Sequence, residues 1–195
     1  RLQRFFLRLG PTAPRRAPSA ALQALVDNLR GLAERVAQSM GKQVQFAARL
    51  PEDELPPQVQ GILREVLPQL VRNAVVHGIE QPGVRAQFRK PEAGALRLDI
   101  AHDEDGTVEV RLSDDGRGIV LPELRERIAR QRSDVAQLSD HEVLGHIFDP
   151  AFSTATEVTE HAGRGMGLSL VRKAVEDAGA KLRVLTQPHV STTFI

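Results

Sequence analysis

The residues that could do chemistry lie in three short segments, of which the first is LVRNAVVHGIE at 70–80. Its Asn73 falls within a helical pattern, although Asn is a poor former of helix interiors. The side-chain oxygen of Asn is a neutral, hard ligand that suits Mg²⁺ beside phosphate oxygens. An isolated Asn more often satisfies a neighbouring backbone group, so this segment alone does not define a site.

The second segment, SDDGRGI at 113–119, follows directly after an alternating strand pattern. A carboxylate at the strand end, Asp114, can accept a hydrogen bond from an exocyclic amine. Gly116 and Gly118 would let the backbone come close to a flat ring. An ordinary Asp-Gly turn is the alternative for this segment taken alone.

The third segment, AGRGMGLSLVRKAV at 162–175, has glycines at 163, 165 and 167, where a helix is predicted to begin. Unpaired N–H groups and the positive end of the helix dipole favour phosphate at such a start. The segment is not a dinucleotide-binding fingerprint, because the stretch before it is loop-like and position 187 is Gln. The pattern GxxxxGK[ST] is absent as well, so a phosphate site here would follow a different design.

Composition excludes several classes of protein. The 195 residues are 41% apolar and 26% charged, with 26 Lys and Arg against 25 Asp and Glu. We expect no nucleic-acid binding, because the chain lacks a basic excess, and no membrane contact, because no apolar run approaches the roughly 20 residues of a span. Cysteine is absent, which removes disulfides and Cys-based zinc sites. With neither a signal-peptide pattern nor an initiator Met, we expect a cytoplasmic piece of a longer protein.

Hydrophobic periodicity predicts the elements that must position the three segments. Ser19 is a predicted N-cap for a helix over 20–40, and Pro68 predicts a kink or two abutting helices in the stretch that ends near His77. Alternating residues on either side of DEDG predict a β-hairpin over 96–112. The other predictions are a strand at 44–48, helices at 122–131 and 166–178, a capping box between Ser139 and Glu142, an irregular stretch at 149–166, and the strands KLRVLT and STTFI.

Taken together and in this order, the segments resemble the ATP-binding domain of the gyrase, heat-shock chaperone, histidine kinase and mismatch-repair superfamily. RNAVVHGIE, DDGRGI, IFDPAFST and GRGMGL are similar to the N box, first glycine box, F box and second glycine box of bacterial histidine kinases. HGIE together with FDPAFST favours the CheA type. The resemblance covers residues 19–195 and implies an α/β two-layer sandwich of the Bergerat type: a mixed β-sheet covered on one face by helices, with a flexible ATP lid at about 131–165.

The resemblance also implies roles for individual residues around ATP and Mg²⁺. Asn73 would coordinate Mg²⁺, and together with Gln69 and His77 it would form the catalytic end. Asp114 would accept from the adenine amine, and Thr192 would help to bind a water on the adenine side. The remaining residues implied to bind the nucleotide are Arg72, His77, Gly116, Gly118, Ile119, Phe148, Ser153, Thr154, Arg164, Gly165, Met166, Gly167 and Leu168. Phe148 and Phe152 would anchor the lid, and filling of the core is the alternative for both.

Three positions depart from the CheA pattern and keep other functions open. The family His four residues before the Asn is Gln69 here, the Asp before HGIE is Val76, and the Gly of the closing GTTF is Ser191. An amide cannot act as a general acid or base at neutral pH, although it can orient a group. The leading interpretation is a kinase domain that transfers the γ-phosphoryl of ATP to a His. A degenerate nucleotide-binding or scaffold domain and an ATP-gated conformational ATPase are the alternatives.

The partners are implied by the same resemblance. The phosphoacceptor His would lie on a separate phosphotransfer domain, and a response regulator and an adaptor or receptor would complete the pathway. Residues 1–18, which are cationic and apolar and then rich in Pro, are a linker or the tail of a helical dimerisation segment. The full-length protein is therefore expected to be a homodimer, and the present chain a monomer.

Overall fold

The computed structural model describes residues 19–102, 105–149 and 167–195. Its five-stranded mixed sheet has the order β1-β2-β3-β5-β4, in which β1 and β2 are parallel and every other pair is antiparallel. The elements are α1 (Ala20–Ser39), β1 (Val44–Arg49), α2 (Pro57–Asn73), α3 (Pro82–Gln87), β2 (Gly94–His102), β3 (Val108–Asp114), α4 (Leu121–Ala129), α5 (Asp140–Gly145), α6 (Gly167–Asp177), β4 (Val184–Gln187) and β5 (Ser191–Phe194).

The main core lies between one face of the sheet and the helices α1, α2 and α6. On β2, Leu96, Leu98 and Ile100 are each at most 2% exposed, whereas Arg97 between them faces solvent. This alternation is expected for a strand with one covered and one open face. The predicted two-layer α/β sandwich with a mixed sheet is confirmed.

Most of the predicted elements are present within a few residues of their expected ends. Ser19 caps α1 by accepting from the backbone N–H of Leu22 at 3.3 Å, and β2 and β3 form the predicted hairpin. The capping box is also present, because Ser139 and Glu142 exchange side-chain and backbone hydrogen bonds. The strand predicted from KLRVLT begins only at Val184.

Helix α2 does not divide at Pro68, so the predicted alternative of two abutting helices is wrong. It runs as one continuous helix through Pro68 to Asn73, and a single π turn, Ala74–Gly78, follows. The wider turn is closed by the Ile79 N–H, which donates to the Ala74 carbonyl at 2.8 Å. Such turns often occur at functional sites. Here the π turn carries the middle of the first sequence segment.

A second, smaller core lies under α4 and α5. Leu124, Ile128, Val135 and Val143 are all buried there, and Ile119 packs against them. The Arg125 guanidinium donates to the carbonyls of Val135 and Leu138 and so ties the connecting loop to α4. Residues 131–149 of the predicted lid run from this smaller core to Phe148, which packs in the main core, and 150–165 lie outside the described residues. None of the described helices is long and apolar enough to span a membrane.

Candidate nucleotide-binding site

Asp114 is the last residue of β3 and lies between two neighbouring strands. Its Cα partners are Leu96 on β2 and Thr192 on β5. The Asp114 side chain is only 5% exposed and Thr192 only 6%. Among the described residues, the hydrogen bond that reaches this carboxylate comes from the backbone N–H of Gly116 to Oδ1, at 2.9 Å. The structure therefore brings together the two residues predicted for the adenine end.

Burial raises the pKa of the Asp114 carboxyl from 3.8 to about 7. Loss of hydration is the main cause, and the negative charges of Asp115 and Glu80 act in the same direction. The hydrogen bond from the Gly116 N–H and the positive charge of Lys90 oppose it. A buried acceptor with so few donors is well suited to an incoming amine N–H.

Gly116 is required by the close approach of two backbone segments. A Cβ at Gly116 would lie 2.2 Å from the carbonyl oxygen of Gly78, at the end of the π turn, and 2.8 Å from Asp114 Oδ1. Gly118 has φ of +65°, and a Cβ there would lie 2.3 Å from the carbonyl oxygen of Gln187. The two glycines thus let the segment after β3 close against the π turn on one side and the β4–β5 turn on the other.

Asn73 and Gln69 mark the other end of the site. Asn73 is the last residue of α2 and is half-buried, and Gln69 lies one helical turn before it. Helix α6 begins at Gly167 beside this face, because a Cβ on Gly167 would lie 3.7 Å from Gln69 Oε1. A shallow groove between α2 and α6 is lined by Glu65, Val66, Gln69, Leu170 and Val171.

Several other predicted nucleotide ligands have defined surroundings. Phe148 is 8% exposed and belongs to the main core, where its ring meets Phe194 edge-on at 6.4 Å and lies under the Arg172 guanidinium. Phe148 therefore fills the core, which was the alternative to its predicted role as a lid anchor. Leu168 packs against the main core and Ile119 against the smaller one. Arg72 lies on the last turn of α2, and His77 lies exposed on the π turn.

The remaining predicted ligands lie outside the described residues. They are Ser153, Thr154, Arg164, Gly165 and Met166, together with Phe152 of the predicted lid anchor. Their roles stay predictions. Within the described part of the chain, no group of three His, Cys, Asp or Glu side chains could hold a metal ion. A Mg²⁺ ion at Asn73 would therefore depend on phosphate oxygens and water for its other ligands.

The departures from the CheA pattern also have defined places. Val76 packs against the main core, and its carbonyl accepts from Lys42 Nζ at 2.8 Å. Lys42 donates equally to the Val75 carbonyl and so ties the π turn to the residues after α1. Burial lowers the pKa of Lys42. Ser191 contributes its carbonyl to a hydrogen bond from Thr186 Oγ1 at 3.1 Å.

A mostly buried cluster of charged side chains lies next to Asp114, and the sequence analysis did not find it. Arg85 on α3 is fully buried and forms ion pairs with Glu80 at 3.0 Å and Asp115 at 2.8 Å. Lys90 forms a further ion pair with Glu80 at 2.8 Å. The signal that could have found this cluster is the Glu of HGIE, which the motif comparison singled out without giving it a role. We call these four residues the ionic cluster.

The fold and the site define a two-layer α/β domain with a buried carboxyl acceptor at the end of its central strands. The chain belongs to the family described as histidine kinase-, DNA gyrase B-, and HSP90-like ATPase, whose model matches residues 58–195. The resemblance stated from the sequence motifs is thereby confirmed.

Two individual relatives carry names that refer to chemotaxis and to gliding motility. The chain is 34% identical over 177 residues to the chemotaxis protein CheA of Cereibacter sphaeroides, covering 89% of this chain and 26% of that protein. It is 32% identical over 167 residues to the gliding motility regulatory protein of Myxococcus xanthus, covering 84% of this chain and 21% of that protein. The chain therefore spans about a quarter of the length of these relatives.

A solved structure supports the fold. Full-length ShkA in complex with AMPPNP aligns with a TM-score of 0.53 and 21% identity, over 91% of this chain and 29% of that one. At this identity the likeness concerns the fold alone.

Proposed function

We propose that the chain is the catalytic domain of a CheA-type histidine kinase, which binds ATP and transfers its γ-phosphoryl to a His on a separate phosphotransfer domain. The observation that carries the proposal is the buried pair of Asp114 and Thr192 at the strand ends, closed against the π turn by Gly116. The similarity to the CheA relatives supports it.

At the adenine end, the proposal assigns recognition of the base to Asp114. Its Oδ1 already accepts from the Gly116 N–H, and the carboxylate has further lone pairs for the exocyclic amine of adenine. Guanine carries a carbonyl oxygen at that position, which the carboxylate would repel. The proposed site is therefore selective for adenine over guanine nucleotides.

At the phosphate end, the proposal assigns the γ-phosphate to the space between the last turn of α2 and the start of α6. Asn73 would provide an amide oxygen for Mg²⁺, whose charge would neutralise the phosphates. The backbone N–H groups at Gly167 would donate to phosphate oxygens, since the first turn of a helix has no internal partners for them. Gln69 would orient a group through hydrogen bonds without exchanging a proton.

In the proposed transfer, the acceptor imidazole nitrogen forms a bond to the γ-phosphorus while the bond from that phosphorus to the β–γ bridging oxygen breaks. The products are the phosphorylated His and ADP. The transfer depends mainly on positioning and charge stabilisation, so it does not require a general base at position 69. The acceptor domain, the response regulator, the adaptor or receptor, the homodimeric state and a cytoplasmic location all remain parts of this proposal.

The test combines calorimetric titration of the chain with Mg-ATP and incubation with γ-labelled ATP and a CheA phosphotransfer domain. We expect magnesium-sensitive binding and label on the acceptor His. Asp114→Asn should abolish both, whereas Asp99→Asn, on the open face of the sheet, should change neither. A folded wild-type chain that binds no ATP would refute the proposal.

The second candidate is a nucleotide-binding scaffold without kinase activity. It is favoured by Gln69, because the structure places an amide, which moves no proton, at the junction of α2 and α6. Binding of ATP without transfer to the phosphotransfer domain would support this candidate. Gln69→His would then be expected to restore transfer if position 69 alone is responsible.

A further inference from the structure

We propose that Lys90 and Arg85 are positioning residues for adenine recognition, because they hold the backbone that carries Asp114 and Gly116 in its place behind the base. This inference rests on the proposed function, since it assigns the ionic cluster a role in binding ATP. It also explains why HGIE ends in Glu80, a residue that the adenine and phosphate contacts do not use.

Lys90 contacts both sides of the adenine end through a single ammonium group. Its Nζ donates to the carbonyl of Asp115 at 2.8 Å, to the carbonyl of Gly116 at 2.7 Å and to Glu80 Oε1 at 2.8 Å. These contacts use all three N–H donors of the side chain. Lys90 therefore joins the segment after β3 to the segment after the π turn.

Arg85 fixes the same two segments from inside the protein. Its guanidinium donates to Glu80 Oε2 at 3.0 Å and to Asp115 Oδ2 at 2.8 Å, and its Nε donates to the Pro91 carbonyl at 2.7 Å. The other carboxylate oxygen of Asp115 accepts from the Ala95 N–H on β2 at 2.8 Å. Asp115 is thus held between the sheet and α3.

Asp114 ends β3 and directly precedes this clamped segment, so the ionic cluster holds the backbone on its C-terminal side. Gly116 lies against Gly78 while the carbonyls of 115 and 116 accept from Lys90, and Gly78 accepts from the Arg117 N–H at 2.9 Å in the same arrangement. The charges that act on the Asp114 carboxylate come from Asp115, Glu80 and Lys90, and Lys90 is the cation among them. Lys90 therefore favours both the position and the ionised form of the acceptor.

The test compares Lys90→Met, the milder Lys90→Gln and the conservative Lys90→Arg with Lys181→Met, which removes an exposed Lys elsewhere. Mg-ATP affinity is measured by calorimetry. A carbon-13 NMR titration of the Asp114 carboxyl is recorded in the ligand-free proteins. We expect affinity to fall about tenfold in Lys90→Met and several-fold in Lys90→Gln, which is the scale of losing a charge-assisted hydrogen bond. Lys90→Arg should recover most of the affinity, and Lys181→Met should match the wild type.

The carboxyl titration separates the inference from the proposed function. Loss of the Lys90 charge should move the Asp114 pKa above its wild-type value, whether or not nucleotide binds. If the wild type does not bind ATP, the proposed function fails, and this titration still decides whether Lys90 acts on Asp114. An unchanged Asp114 pKa together with unchanged ATP affinity in folded Lys90→Gln would overturn the inference and leave the ionic cluster a purely structural role.

Discussion

Replacing Asp114 with Asn should stabilise the ligand-free domain at pH 8 while abolishing ATP binding. The folded-state pKa of Asp114 is about 7, well above the 3.8 of an exposed Asp. Between these values the folded protein holds a proton that the unfolded chain has released, so the free energy of unfolding falls as the pH rises. Above about pH 7 the full cost of burying the charged carboxylate is present. Asn does not titrate, and its side-chain oxygen can still accept from the Gly116 N–H.

The size of the effect follows from the pKa difference. About three pKa units correspond to roughly 4 kcal/mol, since one unit is about 1.4 kcal/mol. Urea unfolding followed by circular dichroism at pH 4, 6 and 8 should show the Asn variant gaining about 2–4 kcal/mol at pH 8 and almost nothing at pH 4. Asp99→Asn provides the control and should show no such trend. The reasoning would be refuted if the difference in free energy of unfolding between the Asn variant and the wild type did not change with pH, or if it favoured the variant less at pH 8 than at pH 4.

Two further predictions concern the close approach at the π turn and the metal. Gly116→Ala should lower the free energy of unfolding by about 1–3 kcal/mol and weaken ATP binding, because its Cβ would overlap the Gly78 carbonyl. Gly61→Ala on α2, where an added Cβ would meet nothing within 4 Å beyond the backbone of its own helix, should raise the free energy of unfolding by about 0.5–1 kcal/mol. Equal stability of the two variants in urea would contradict this geometry. Asn73→Asp should change the ratio of ATP affinities with and without Mg²⁺ by about tenfold, since it adds a charge at the proposed ligand; an unchanged ratio in calorimetry would remove Asn73 from the metal site.

The sheet and its adenine end were predictable because their signals are local. The alternating residues around the hairpin fix the register of β2 on β3, and that register places Asp114 beside Leu96. The motif STTFI placed Thr192 in the last strand, where antiparallel pairing brings it beside Asp114. In both cases the strand period of two decides which side chains are buried, and the sequence shows that period directly.

The ionic cluster and the π turn were not predictable by the same means. Arg85 lies in a short helix with no clear apolar periodicity, and its full burial depends on partners as far along the chain as Asp115. Hydropathy assigns such a residue to the surface, because charged side chains are seldom buried unless they are paired. The π turn leaves the pattern of apolar residues almost unchanged while moving the Ile79 hydrogen bond from the fourth to the fifth preceding residue.

The ionic cluster stabilises the fold, whereas the ionised Asp114 carboxylate destabilises it. A loss of ATP binding caused by changing Lys90 can therefore be distinguished from one caused by changing Asp114. Glu80 and Asp115 balance Arg85 and Lys90, so ionised Asp114 adds an uncompensated negative charge to a buried region. Neutralising Asp114 removes that charge and should raise stability. Removing Lys90 takes one donor from Glu80 Oε1 and from the carbonyls of Asp115 and Gly116, and should lower stability. Both changes should weaken ATP binding. We expect the Asp114 and Lys90 variants to lose ATP affinity alike while their free energies of unfolding change in opposite directions. This combination is expected only if the ionic cluster positions a carboxylate that binds ATP and destabilises the fold.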